Sequence, residues 1–358
     1  MYRPDLARLK SCMRRAEAGE EITLGFFGGS ITQDSLATKH ENCYAYRVFR
    51  WWEERFPKAH FHYVNGGIGG TTSHYGVSRV VTDMLMYQPD FVVVDFSVND
   101  EPEEFFQETY EGLLRRILTW PSGPAVLLLN NVFYDTGKNA QEYHNQVGDW
   151  YHLPHVSMKD TLWQQMNAGE FTREEITPDG LHPNDKGHGL VAGQITSYLE
   201  QVRSHMWEEE RESNFPPAMT ENAYENARRL TIREICPKLE GFRADTRKKK
   251  GHLDHFKNGW IGRNAGEGII FEVQASCIAI QYRKTIHHPA RKGELILDGD
   301  KEHPVLLDGN FQEDWGDCLY LEPVLHHGKA GHHTVEVRVL PDEHEKAEPF
   351  YLMALITA

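Results

Sequence analysis

The chain has no apolar run of the ~18 residues needed to cross a bilayer, so no membrane partner is expected. Cysteine is sparse: Cys12, Cys43, Cys236, Cys277 and Cys318 are odd in number, widely spaced and without a CxxC pair. That argues against a cysteine zinc site or redox motif, and spare thiols suit a reducing cytoplasm better than an oxidising exterior. No apolar stretch follows the charges of the opening Met-Tyr-Arg-Pro-Asp-Leu, so a secretory signal is not expected. Positive charge is in deficit. Lys and Arg total 38 against 53 Asp and Glu, a formal charge of −15, which repels phosphate backbones and removes nucleic acid from the expected partners. There is no internal repeat and no long low-complexity tract.

What remains is ordinary globular composition, with 25% charged and 40% hydrophobic residues. A length of 358 residues is enough for two domains, each with its own core. In the first two hundred residues short apolar runs alternate with longer amphipathic segments. Ile22–Phe27, Phe61–Val64, Phe91–Phe96 and Ala125–Leu129 read as buried parallel strands. Roughly Asn42–Phe56, Ser73–Tyr87, Pro102–Leu118, Asn139–Trp150 and Asn184–Val202 read as helices. This alternation predicts a three-layer α/β/α domain with a parallel sheet over residues 1–205.

The charge run at Trp207–Glu212 and the breaker Pro216-Pro217 predict a boundary, with a helical linker over 206–240. Beyond it, alternating stretches such as Gly268–Tyr282 and Thr334–Val339, with an Asp298-Gly299 turn, predict an all-β sandwich over 241–358.

Four short motifs carry chemistry. Gly28-Gly29-Ser30-Ile31-Thr32, Asn65-Gly66-Gly67-Ile68-Gly69-Gly70-Thr71 and Ser97-Val98-Asn99-Asp100 fall just beyond predicted strands, where open α/β sheets place their ligands. The fourth, Asp179-Gly180-Leu181-His182-Pro183-Asn184, precedes the last helix. Singly, each has a structural explanation: a tight turn, a positive-φ loop, a helix cap. The glycine-rich turn matches neither common nucleotide-binding pattern. Asp179 and His182 are spaced so that the carboxylate can fix the imidazole tautomer, as a general base requires.

Together the four motifs resemble the SGNH hydrolases, also called GDSL-like esterases, in order and across roughly residues 20–200. The usual Gly-Asp-Ser is Gly-Gly-Ser here, with Gly29 where Asp is typical, a form similar to the carbohydrate acetylesterase branch. The resemblance implies a flavodoxin-like fold and a catalytic Ser30–His182–Asp179 set. It further implies an oxyanion hole made by the N–H of Ser30, the N–H of Gly70 and the side-chain amide of Asn99. Gly70 is preferred to Gly69 because Asn65-x-Gly67-x-x-Gly70 has the family spacing. Neither cofactor nor metal is implied. Of the paired histidines, His287-His288, His326-His327 and His332-His333, adjacent residues on a strand face opposite ways and chelate poorly.

The loops around the site hold Gln33, Asp34, Asn131 and Tyr134, a polar set that suits a hydroxyl-rich leaving group. The second domain resembles carbohydrate-binding β-sandwich modules, and Trp260 and Trp315 are candidate faces for a sugar ring. The expected substrate is therefore an acetylated plant oligosaccharide, derived from mannan or xylan. A lysophospholipase or acyl-thioesterase on the same scaffold is the alternative enzyme. A carbohydrate-binding protein with a vestigial esterase site is the alternative of another class. Oligomeric state is open, a homo-oligomer included.

Overall fold

The computed structural model describes residues 4–251, 253–341 and 346–358. Residues 1–3, part of the N-terminal segment weighed above, lie outside them. The chain forms two compact units, Met1–Glu225 and Asn226–Ala358.

The first unit runs α1 (Ala7–Glu17), β1 (Glu21–Gly28), α2 (Ser30–Gln33), α3 (Tyr44–Arg55), β2 (His60–Asn65), α4 (Ser73–Asp83), β3 (Phe91–Asp95), α5 (Glu104–Leu118), β4 (Ala125–Asn130), α6 (Gln141–Trp150), β5 (His155–Ser157), α7 (Leu162–Asn167), α8 (Arg173–Ile176) and α9 (Asp185–Ser204). Its sheet is wholly parallel, in the order β2-β1-β3-β4-β5, the flavodoxin-like arrangement. Every residue of β3 and β4 is buried, which is why their sequences are near-continuous Val and Leu.

Alternation along the strands divides the core. Ile22, Leu24, Phe26, Val93, Leu127 and Leu129 share a cluster with Met13 of α1, Trp52 of α3 and Ile195 of α9. Phe27 turns the other way, onto Phe96 at 5.7 Å, and Phe96 lies against Gly76 of α4. Each fully buried side chain of this size contributes roughly 1.5–3 kcal/mol over leaving it in water. For the site, the consequence is that β1, β2 and β3 end at one edge, with Gly28 beside Asp95 in register.

The segment expected to be a helical linker forms no helix. Residues 206–225 instead lie as an extended strap on α5 and α1. Glu111 accepts the N–H groups of Met219 (2.6 Å) and Thr220 (2.8 Å), and Glu108 accepts that of Ala223 (2.8 Å). Pro216 and Pro217 offer no N–H and resist helical continuation, and the α5 carboxylates satisfy the donors that a helix would have used internally.

In the second unit the strands are β6 (Arg228–Leu230), β7 (Lys238–Glu240), β8 (Arg243–Ala244), β9 (Trp260–Gly262), β10 (Gly268–Ala275), β11 (Ile278–Lys284), β12 (Lys292–Leu297), β13 (Val305–Asp308), β14 (Cys318–Leu325), β15 (Gly331–Val339) and β16 (Phe350–Thr357). They form two sheets, β13-β12-β15-β10-β7 and β14-β11-β16-β9-β8, with β6 paired to β16. Inward residues of both sheets, among them Phe271, Val337, Ile280 and Leu352, share one core, so the unit is a β-sandwich. Residues 226–240 belong to these sheets through β6 and β7. The paired histidines divide as expected on β15, where His332 is exposed beside Glu272 and His333 is buried against Asp298, but His326 and His327 lie beyond the end of β14 and do not diverge, their ring centroids being 4.1 Å apart. Among the described residues, no helix is long and apolar enough to cross a membrane.

Candidate active site

Ser30 opens the single turn α2, directly after β1, and is 8% exposed. The two preceding glycines are there for space, since neither has positive φ. A Cβ on Gly28 would lie 2.4 Å from the Asp95 carbonyl oxygen, and one on Gly29 would lie 2.1 Å from Asn99 Oδ1. Glycine at position 29 therefore lets the Asn99 amide pack beside the turn that carries Ser30.

His182 reaches this serine across 152 residues of sequence, with Nε2 2.8 Å from Ser30 Oγ. Its Nδ1 is 2.7 Å from Asp179 Oδ2. The second oxygen, Asp179 Oδ1, accepts the N–H groups of Leu181 (3.0 Å) and His182 (2.8 Å) and the Thr177 hydroxyl (3.1 Å). Partial burial alone would raise the Asp179 pKa. The His182 ring and the two N–H groups outweigh it and hold the carboxyl below its ordinary value. An ionised Asp179 can only accept, so Nδ1 carries the proton and Nε2 of the neutral ring accepts from the Ser30 hydroxyl. The turn depends on Gly180, whose φ is +80, and on the bond from the Tyr134 N–H to the Gly180 carbonyl (2.7 Å).

The loop from Asn65 to Gly70 is fastened to the serine turn at several points. Asn65 Nδ2 donates to the Thr32 carbonyl (2.7 Å), and Asn65 Oδ1 accepts the Gly67 N–H (2.8 Å). The Ile68 N–H donates to the Gly28 carbonyl (3.1 Å). A Cβ on Gly67 would sit 2.3 Å from Gln33 N, and one on Gly69 would be 3.6 Å from Ser30 Cβ. Gly70 is exposed, with φ +65. Among the described residues, the N–H of Ser30, the N–H of Gly70 and the amide nitrogen of Asn99 have no protein acceptor. Donors without a protein acceptor, on the serine turn itself and on the two loops packed against it, are groups that can receive the negative oxygen of a tetrahedral intermediate.

Three supporting features were not legible in the sequence. Arg79 of α4 is fully buried, donates to the carbonyls of Gly66 (2.6 Å) and Gly28 (3.1 Å), and lies over the Phe27 ring at 4.3 Å. Asp100, next to Asn99, accepts the Ser73 N–H at the start of α4 (2.8 Å) and pairs with buried His144 of α6 (3.0 Å). Asp95, under the serine turn, accepts the Thr32 hydroxyl (2.9 Å) and the Asn131 amide (3.0 Å) through Oδ2, while Oδ1 has no partner among the described residues. Burial pushes Asp95 up to about 6 against those two bonds.

The residues expected to touch a sugar fare unevenly. Gln33 turns its Oε1 onto the Gly69 N–H at 2.6 Å. Asp34 closes α2 with φ +100 and pairs with His40 at 3.0 Å. Asn131 and Tyr134 are buried, because one is committed to Asp95 and the other packs in the core, so neither lines a crevice. Trp260 is a correction of the same kind. It is 2% exposed and packs edge-on against Phe271 inside the sandwich, leaving no face for a ligand. Trp315 is 53% exposed, edge-on to Phe311 at 4.9 Å, with its Nε1 donating to Glu313 (2.6 Å).

Residues 26–190 match the model of the GDSL-like Lipase/Acylhydrolase family. The chain is similar to the crystal structure of a two-domain esterase (CEX) active on acetylated mannans, with 47% identity and a TM-score of 0.97, covering 99% of this chain and 96% of that one. The crystal structure of such an esterase co-crystallised with mannopentaose is similar at 47% identity and a TM-score of 0.96, covering 99% of this chain and 95% of that one. No curated protein matches the chain.

Proposed function

The chain belongs to the GDSL-like lipase/acylhydrolase family, and from that premise we propose that it removes O-acetyl groups from acetylated mannan oligosaccharides through an acetyl-enzyme on Ser30. The observation that carries the reading is the unbroken hydrogen-bonded chain from Ser30 through His182 to Asp179.

Ser30 Oγ attacks the acetyl carbonyl as His182 Nε2 takes its proton. Asp179 keeps the ring in the right tautomer and stabilises the imidazolium. The developing oxyanion is received by the N–H groups of Ser30 and Gly70 and the amide of Asn99, donors aimed at charge that exists only in the transition state. The imidazolium then protonates the sugar's ester oxygen as its bond to the acetyl carbon breaks, so the sugar leaves with a free hydroxyl and the acetyl group stays on Ser30 Oγ. Water, deprotonated by His182, attacks the acetyl-enzyme, and acetic acid departs as the imidazolium returns that proton to Ser30, ionising to acetate in solvent. Every proton is carried by His182, so the step balances with water as the sole co-reactant.

The mannan assignment is supported by relatives that share nearly the whole length of this chain, both units included. Trp315 on the second unit supplies an exposed indole of the kind that stacks on the apolar C–H face of a pyranose. The test is incubation with acetylated mannan, xylan and pectin fragments, reading acetate release by mass spectrometry. The expected result is release from mannan fragments above the other two. Preference for long-chain acyl esters or acyl thioesters over every acetylated sugar would overturn the proposal in favour of a lipid or thioester hydrolase.

A further inference from the structure

Gln33 stands on the same turn as Ser30, three residues on, and therefore on the same helical face. Among the described residues its side chain makes one bond, and that bond crosses to the other half of the site: Oε1 accepts the Gly69 N–H at 2.6 Å. Its backbone is equally engaged, since Gly67 is packed against Gln33 N so closely that a Cβ would lie 2.3 Å away. The next residue, Gly70, adopts φ +65. Successive N–H groups around a left-handed residue form a small anion-binding concavity. Here the first of the two N–H groups is already occupied by a side-chain carbonyl, and the second is not.

We propose that Gln33 is a positioning residue of the oxyanion hole: its carboxamide holds the Gly69 peptide so that Gly70, rather than Gly69, offers its N–H to the intermediate. The proposal rests on the esterase reading above and deepens it. It fixes the identity of one oxyanion donor by geometry and takes Gln33 out of the set of sugar contacts. The physical basis is preorganisation. Two glycines in succession leave a loop with little resistance to rotation, and a donor misplaced by about 1 Å loses much of its value in the transition state. The Gln33 bond removes that freedom before substrate arrives. Because the same residue is one turn from the nucleophile, the donor and the nucleophile are set relative to each other and not only to the sheet.

The experiment pairs Gln33→Met, which keeps the length and removes the acceptor, with Asn99→Ala, which removes a donor outright. Both are assayed on a small acetate ester and titrated with methylboronic acid, which forms a tetrahedral anion on an active serine. Gln33→Met is expected to lower kcat about 10- to 100-fold with KM within about twofold, and to weaken boronate binding in the same proportion. In the unmutated protein, boronate is expected to shift the Gly70 amide resonance and leave that of Gly69 in place, a readout that does not depend on any variant folding. Unchanged kcat with a raised KM on oligosaccharide esters would make Gln33 a sugar contact and overturn the proposal, as would a boronate shift at Gly69 with Gly70 still. If Asn99→Ala loses kcat and Gln33→Met does not, the inference about Gln33 fails alone. If the native protein neither binds boronate nor loses turnover on Ser30→Ala, the esterase mechanism itself has failed.

Discussion

Asp95→Asn should change how the stability of the first unit depends on pH. The carboxyl lies under the serine turn, buried, with one oxygen bonded to Thr32 and Asn131 and the other without a partner among the described residues. Burial pushes its pKa from the ordinary 3.8 to about 6, so the fold favours the protonated form. The sign follows from linkage. Below the unfolded value the group costs nothing. As pH rises through the interval it ionises more readily in the unfolded chain than in the folded one, and stability falls. Above the folded value the loss is constant, at about 3 kcal/mol. Between pH ~4.5 and pH ~7.5 the change is about 2 kcal/mol, since at the lower pH part of the penalty is already present. Asparagine keeps an acceptor for Thr32 and Asn131 and cannot ionise. Relative to the parent protein, the variant should therefore gain about 2 kcal/mol between those two pH values. Urea titrations read by tryptophan fluorescence suit the measurement, because six of the eight tryptophans lie in the first unit. A difference between variant and parent that is the same at both pH values would refute the reasoning.

Other outcomes are equally specific. Asn99→Ala should lower kcat about 10²- to 10³-fold on a small acetate ester with KM nearly unchanged, measured by initial rates. Gly29→Ala should lower kcat while leaving the melting temperature close to that of the parent. Its Cβ would meet Asn99 Oδ1, a side-chain atom and not backbone, so the donor is displaced before the fold is. Asp179→Asn should cost about 10⁴-fold in kcat by leaving the wrong His182 tautomer. Because the Asp179 pKa is held below its ordinary value, the intact site should keep its Asp179–His182 orientation well below neutrality, losing it only as pH falls through that lowered value. A pH–rate profile in which Asp179→Asn matches the parent at every pH would contradict that role.

The sequence made the catalytic unit legible where one physical cause dominated. Buried parallel strands are near-continuously apolar, and the runs at 22–27, 91–96 and 125–129 are so except at Thr23 and Asp95. The short β5, His155–Ser157, carries too few residues to show a pattern. Glycine clusters at strand ends marked the loops that meet at the site, and the Asp179-x-x-His182 spacing marked its base. Arg79 gave no such mark, because an arginine in an amphipathic helix reads as a solvated face. Its burial is set by two carbonyls from other elements, Gly66 after β2 and Gly28 at the end of β1. The same holds for His144, whose partner Asp100 comes from a different element. Trp260 and Trp315 share a residue type and a loop-like context. Only the pairing of β9 with β16, which sets Trp260 opposite Leu352, turns one inward and leaves the other exposed. The strap at 206–225 was misread because its partners are the carboxylates of α5, which sequence alone assigns to the surface.

The most direct test of the central claim is rapid-quench mass spectrometry of the full chain during turnover of an activated acetate ester. The expected result is a transient species heavier by one acetyl group, located by peptide mapping on Ser30 and absent from Ser30→Ala. Turnover at the parental rate by Ser30→Ala, or an acetyl group carried on any other residue, would contradict it.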